Sequence, residues 1–179
     1  MMPRNTKQQG HLDGLCGVYA IVNASLELGA GRPDDIFKRC CSALPKRAWP
    51  TVLWDGTDLA DLKKMLRACE EEFTNTGISV EYPFANGEPK SNSAFWREFD
   101  NLFARQGSKR CAILGFEEPW LHWIVARPDR EGGKVLLIDS DGIPARTRVP
   151  RSDIWAGKRR PNEQRFRLNR QEVVLLSQP

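Results

Sequence analysis

From Cys16 onward the apolar positions Val18, Ile21, Val22 and Leu26 recur at helical spacing, and the run stops at Gly29 after Asp13 and Gly14 at its entry. This pattern predicts a buried helix. A second helix follows from Leu59, Leu62, Leu66, Cys69 and Phe73, capped by Thr57 or Asp58, with Lys63, Lys64, Glu70 and Glu71 facing water. A third starts near Ser91 to Ser93 and aligns Phe95, Phe99, Leu102 and Phe103 on one side before Gly107. A short helix over 34–41 lies between the first two, and Trp49 and Trp54 fall in a loop among prolines and glycines. Beyond Gly107 the pattern changes to short β-branched and aliphatic runs at 111–116, 121–126, 135–138, 146–149 and 173–176, which read as strands. The turn residues of 127–133 predict an antiparallel hairpin between the second and third of these. A turn symmetric about 129–131 sets His122 directly opposite Asp139, both on one face. Helices first and antiparallel strands second define an α+β fold, expected as one domain over 1–179 with a helical lobe at about 12–107 and a sheet lobe at about 108–179. There is no internal repeat or low-complexity linker.

Composition narrows the class. The 179 residues are 40% hydrophobic and 28% charged, with six Trp and eight Phe, which fits a globular domain and excludes disorder. The longest uncharged apolar stretch, 15–26, is well short of the ~20 residues of a membrane span. Residues 1–9 carry basic side chains with no apolar run before Leu15, so no secretory signal is expected and the reading is cytoplasmic. Cys16, Cys40, Cys41, Cys69 and Cys111 show no C-x-x-C spacing and read as free thiols. With His11 and His122 as the only histidines, a zinc site has no supporting spacing, and neither metal nor organic cofactor is expected. The basic surplus lies in 144–179, where nine Lys or Arg meet Asp153, Glu163 and Glu172. It suits an acidic partner or a solvated face; with no recognised motif and little aromatic interleaving, nucleic acid is not expected.

One cysteine stands apart. Cys16 occupies the first turn of an apolar helix between Gly14 and Gly17. A helix N-terminus offers unpaired N–H groups and positive potential that favour a thiolate, and the same groups form half of an oxyanion hole. A cysteine inside an apolar helix is more often a small core residue, a reading that suits Cys69 and Cys111 better than Cys16. A thiolate nucleophile needs a base, and the candidates are His122, at the start of a strand, and His11, five residues before the thiol. His122 is the stronger choice because Asp139, or in reserve Asp141, can hold its other ring nitrogen. Pro119 and Trp120 are candidates for one wall of the cleft, while Trp123 points away from His122.

Taken in order, Cys16 opening a helix, His122-Trp123 opening a strand and Asp139 ending the next resemble a papain-like cysteine peptidase of compact type. Gly14-Leu-Cys-Gly17 and the His-Trp-apolar-Val and Ile-Asp pair are similar to the double-glycine leader peptidases and their stand-alone relatives. His122-Trp123 is also similar to the Josephin deubiquitinases. The resemblance implies a papain-like fold and hydrolysis of a peptide or isopeptide bond through a thioester on Cys16, with a protein or peptide substrate, acidic or ubiquitin-like ones included. It also implies a glutamine before the cysteine as second oxyanion donor, a role for Gln9 or Gln8, with His11 and Asp13 as substitutes. The same thiol chemistry serves an acyltransferase or transglutaminase when an amine outcompetes water, and a noncatalytic basic module is the rival outside enzymes.

Overall fold

A computed structural model describes residues 6–10, 13–104, 107–129, 132–158 and 164–179. His11, the alternative base, lies outside the described residues. Among the described residues six α-helices precede or flank one sheet: α1 (Cys16–Leu28), α2 (Pro33–Ser42), α3 (Trp49–Asp55), α4 (Leu59–Ala68), α5 (Glu70–Asn75) and α6 (Asn92–Phe103). The strands are β1 (Ser79–Glu81), β2 (Lys109–Glu118), β3 (His122–Pro128), β4 (Lys134–Ile138), β5 (Arg146–Pro150), β6 (Ile154–Ala156) and β7 (Phe166–Gln178). The sheet runs β1-β7-β2-β3-β4-β5 with antiparallel neighbours, and β6 adds a parallel pairing to β7. Helices with an antiparallel sheet make the α+β class an observation.

The helices begin and end where side chains satisfy their backbone. Asp58 accepts from the Asp61 N–H at 2.8 Å to start α4, and Ser91 accepts from the Ala94 N–H at 3.1 Å to start α6. Gly29 ends α1 at φ 80°, a left-handed conformation that side-chain-bearing residues disfavour.

Alternate residues of the sheet serve two cores. Cys111, Ile113, Trp123, Val125, Ile138, Val174 and Leu176 face α1, α2 and α4, whereas Ala112, Leu114, Phe116, Ile124, Ala126, Leu137 and Val173 face Phe95, Trp96 and Phe99 of α6. The strands therefore read as near-continuous apolar runs. Helix α1 is buried nearly all round, as a helix apolar on every side must be. Its far end is pinned by Glu27, whose carboxylate receives Arg146 Nη1 at 2.6 Å and Arg127 Nη1 at 3.2 Å from β5 and β3. Burial pushes the Glu27 pKa up, but the two guanidinium groups outweigh it and hold it below the ordinary range. Among the described residues no helix is long and apolar enough to cross a membrane.

Four local expectations are corrected. Helix α3 occupies the stretch expected as a loop, with Pro50 tolerated in its first turn. The second expected helix is broken at Cys69 into α4 and α5. Strand β1 comes from the helical half of the chain, and α6 packs on the sheet face opposite α1. In the hairpin Val125 pairs with Ile138 and Pro128 with Val135, so Asp139 lies across from Ile124 instead of His122. The turn runs later than assumed because Asp129 N–H closes on the Lys134 carbonyl at 3.1 Å and Gly132 and Gly133 both take positive φ. A slip by two keeps the face, so His122 and Asp139 still share one side.

Candidate active site

Cys16 is the first residue of α1, and its helix entry is shaped by Asp13, which accepts the Leu15 N–H at 3.2 Å and the Gly10 N–H at 2.8 Å. The side chain of Leu15 cannot cap, so the first N–H groups of the helix are left without intrahelical acceptors beside the thiol. Gly14 donates to the Leu53 carbonyl at 2.8 Å, and a Cβ there would press on the backbone of Val52 and Gly56. A Cβ on Gly17 would collide with the Thr57 hydroxyl. Both glycines let the 52–57 segment close against the helix start.

His122 opens β3 at the end of the sheet and is 6% exposed. Its Nε2 meets Asp139 Oδ1 at 2.7 Å, and Cys16 lines the same cleft and favours the charged form of the ring. With Nε2 engaged by the carboxylate, Nδ1 is the nitrogen left for sulfur. Burial opposes a charged His122, but the hydrogen bond to Asp139 and the influence of Cys16 outweigh it, and its pKa is raised to about 9. Burial also works to raise the Asp139 pKa; His122 and the N–H groups of Asp141 and Gly142 reverse this and lower it. Asp139 is itself fixed by its N–H to the Ala145 carbonyl at 2.8 Å. Asp141, the reserve candidate, is exposed and supports Asp139 by donating its N–H to Oδ1 at 2.9 Å.

Gln9 and Gln8 lie on a strap that joins these parts. Gln9 N–H donates to the Ser140 carbonyl at 3.0 Å, Ser140 Oγ donates to Gln9 Oε1 at 3.1 Å, and Gln9 Nε2 reaches the Asp13 carbonyl at 3.4 Å. Gln8 Nε2 reaches the Gly142 carbonyl, also at 3.4 Å. Two residues earlier, Lys7 exchanges backbone hydrogen bonds with the buried Asn23 amide at 2.8 and 3.0 Å. The strap thus connects the thiol-bearing helix to the turn that carries Asp139. Sequence reasoning missed Asn23; the signal was a carboxamide on an otherwise apolar helix, which burial obliges to find partners.

Cys16 and His122 line a cleft of about 430 Å³ with Thr51, Asp55, Gly56, Thr57, Asp58, Asp61, Gly115, Phe116, Leu121, Trp123 and Glu172. Trp123 faces the α1 side, as its strand parity requires, and its Nε1–H donates to the Thr57 carbonyl at 2.7 Å. Pro119 and Trp120 do not wall this cleft: they line a second cavity of about 290 Å³ together with Asp139, Ile143 and Phe166. Among the described residues no group of His, Cys, Asp and Glu could hold a metal ion.

Fold and geometry together define an α+β domain in which a helix-start thiol, an imidazole and a carboxylate meet at one end of an antiparallel sheet. No protein-family model and no curated protein matches the chain. Among solved structures it is similar to the peptidase domain of Streptococcus ComA, a bifunctional ABC transporter involved in a quorum-sensing pathway. The two share 11% identity over 97% of this chain and 96% of that one, with a TM-score of 0.52. The likeness is one of fold, in keeping with the papain-like expectation, and the deubiquitinase resemblance finds no support in it.

Proposed function

We propose that the protein is a cysteine peptidase or amidase of papain-like type, with helices delivering the thiol and the sheet delivering the base. The observation that supports this reading most is the His122–Asp139 hydrogen bond at 2.7 Å, with His122 and Cys16 lining one cleft. Cys16 sulfur attacks the substrate carbonyl carbon as the thiolate of a thiolate–imidazolium pair, and the carbonyl oxygen takes up negative charge. The Cys16 backbone N–H and the Gln9 amide stabilise that charge. His122 then gives its proton to the leaving amine as the C–N bond breaks, leaving a thioester on Cys16. In the second half, His122 takes a proton from water, hydroxide adds to the thioester, and the thiolate departs. Asp139 fixes the tautomer and stabilises the imidazolium throughout.

The test is a mixed library of peptides carrying a fluorogenic amide, followed by intact mass of the protein. We expect fluorophore release with a transient acyl mass on Cys16, both lost in Cys16→Ala. Equal release by the Cys16→Ala protein would overturn the reading.

A further inference from the structure

The cleft around Cys16 carries a charge that the catalytic scheme leaves unused. Among the described residues that line it, Asp55, Asp58, Asp61 and Glu172 are acidic, and none is Lys or Arg. Two of the four carboxylates have structural work: Asp58 caps α4, and Asp61 Oδ1 receives Lys64 Nζ at 2.7 Å. Glu172 differs. It is half-buried at the break in the β2–β7 register, where the pairing jumps from Leu114–Val173 to Phe116–Leu168, and it lies over Gly115. Any side chain at Gly115 would collide with the Glu172 carboxylate, so the bare position in an otherwise apolar strand makes its room.

The arginines nearest in sequence are committed elsewhere. Arg167 pairs with Glu117 and with Glu118, the latter at 2.7 Å, and Arg170 Nη2 approaches Glu88 at 3.6 Å. Glu172 has no cationic partner among the described residues, and burial, followed by the charges of Glu117 and Asp58, raises its pKa. A half-withdrawn carboxylate without a partner costs stability that a neutral isostere would not. The cost is recovered when a ligand supplies the missing cation.

We infer that Glu172 is a specificity-determining residue that selects substrates presenting a cationic side chain, of lysine or arginine type, close to the bond attacked by Cys16. This rests on the reading of Cys16 as the nucleophile. It also reverses the acidic substrate suggested by the basic C-terminal segment: the charge beside the thiol is negative, and among the described residues no Lys or Arg lines the cleft.

The test uses the intact protein and two kinds of probe. Methanethiosulfonates bearing an ammonium or a sulfonate report the potential at Cys16, with glutathione as the solution reference. Acetyl-dipeptide aldehydes ending in lysine, norleucine or glutamate report side-chain preference by protecting Cys16 from iodoacetamide. The expected result is a cation-over-anion rate ratio at Cys16 about tenfold above that for glutathione, with lysine the best protector. The ratio should fall toward the glutathione value in Glu172→Gln, and in the unaltered protein as salt is raised. A ratio equal to that of glutathione, one unchanged by Glu172→Gln, or norleucine protecting as well as lysine overturns the inference while leaving a reactive Cys16 and the peptidase reading intact. A Cys16 inert to every reagent overturns both.

Discussion

Cys16 and Cys111 both touch the same helix and are both withdrawn from solvent, yet they occupy opposite chemical situations. Cys111, in β2, is fully buried and points its thiol at the Ala24 carbonyl of α1 at 3.7 Å. Burial, with Glu27 nearby, pushes its pKa far up, so it stays a neutral thiol among apolar neighbours. Cys16, at the start of that helix, opens onto a cleft and shares a histidine with a carboxylate. Exposure barely separates the two; the partner and the opening do. A thiol becomes a nucleophile where the fold brings a base to it and leaves room for a carbonyl.

The largest expected effect that bears on this contrast is Cys16→Ala, which should reduce peptidase turnover by roughly 10³-fold or more in steady-state assays. Asp139→Asn comes next, at roughly 10²- to 10⁴-fold in kcat/KM, because His122 loses the partner that fixes its tautomer. The same change should move the alkaline limb of the pH profile downward, since Asp139 helps hold the His122 pKa at about 9. By the proposed mechanism, activity of the unaltered protein should fall as pH rises through about 9, when the imidazolium is lost. Gln9→Ala should lower kcat by roughly 10²-fold through loss of an oxyanion donor, and an effect confined to thermal stability would contradict that role.

Stability should follow the same proton. Folded His122 keeps it up to about 9 while an unfolded histidine releases it near 6.5, so unfolding free energy should decline between those values. Urea unfolding at several pH values would show this decline, and Asp139→Asn should flatten it. The smallest effect belongs to the other thiol: Cys111→Ala should leave turnover unchanged and cost about 1–2 kcal/mol in the same unfolding assay, the price of a small cavity.

Much of this arrangement was legible in the sequence because it rests on strong patterns. The apolar run after Cys16 and the paired runs around His122 and Asp139 define a helix and two strands by period alone, and parity puts His122 and Asp139 on one face even though the register is slipped by two. What escaped depends on tertiary context. Strand β1 is three residues long and gains its identity only by pairing with β7. Helix α3 hides behind Pro50, and β7 extends back over 166–172, where the apolar alternation of Phe166 and Leu168 breaks off in the polar run 169–172. Glu172 was passed over for the same reason, although Gly115 within an apolar strand was a visible sign of close approach. Gln8 and Gln9 show in the sequence only as oxyanion-donor candidates; their strap is invisible there because hydrogen bonds to Asn23 and Ser140 link residues far apart in the chain.

The most direct measurement is iodoacetamide labelling of the native protein, followed residue by residue with peptide mass spectrometry, in the unaltered chain and in His122→Ala. Half-buried Cys41, whose pKa burial raises, is the internal reference. Cys16 should react faster than Cys41 at neutral pH, and His122→Ala should remove that advantage while leaving the Cys41 rate unchanged. Labelling of Cys16 no faster than Cys41, or an undiminished Cys16 rate without the imidazole, would contradict the assignment.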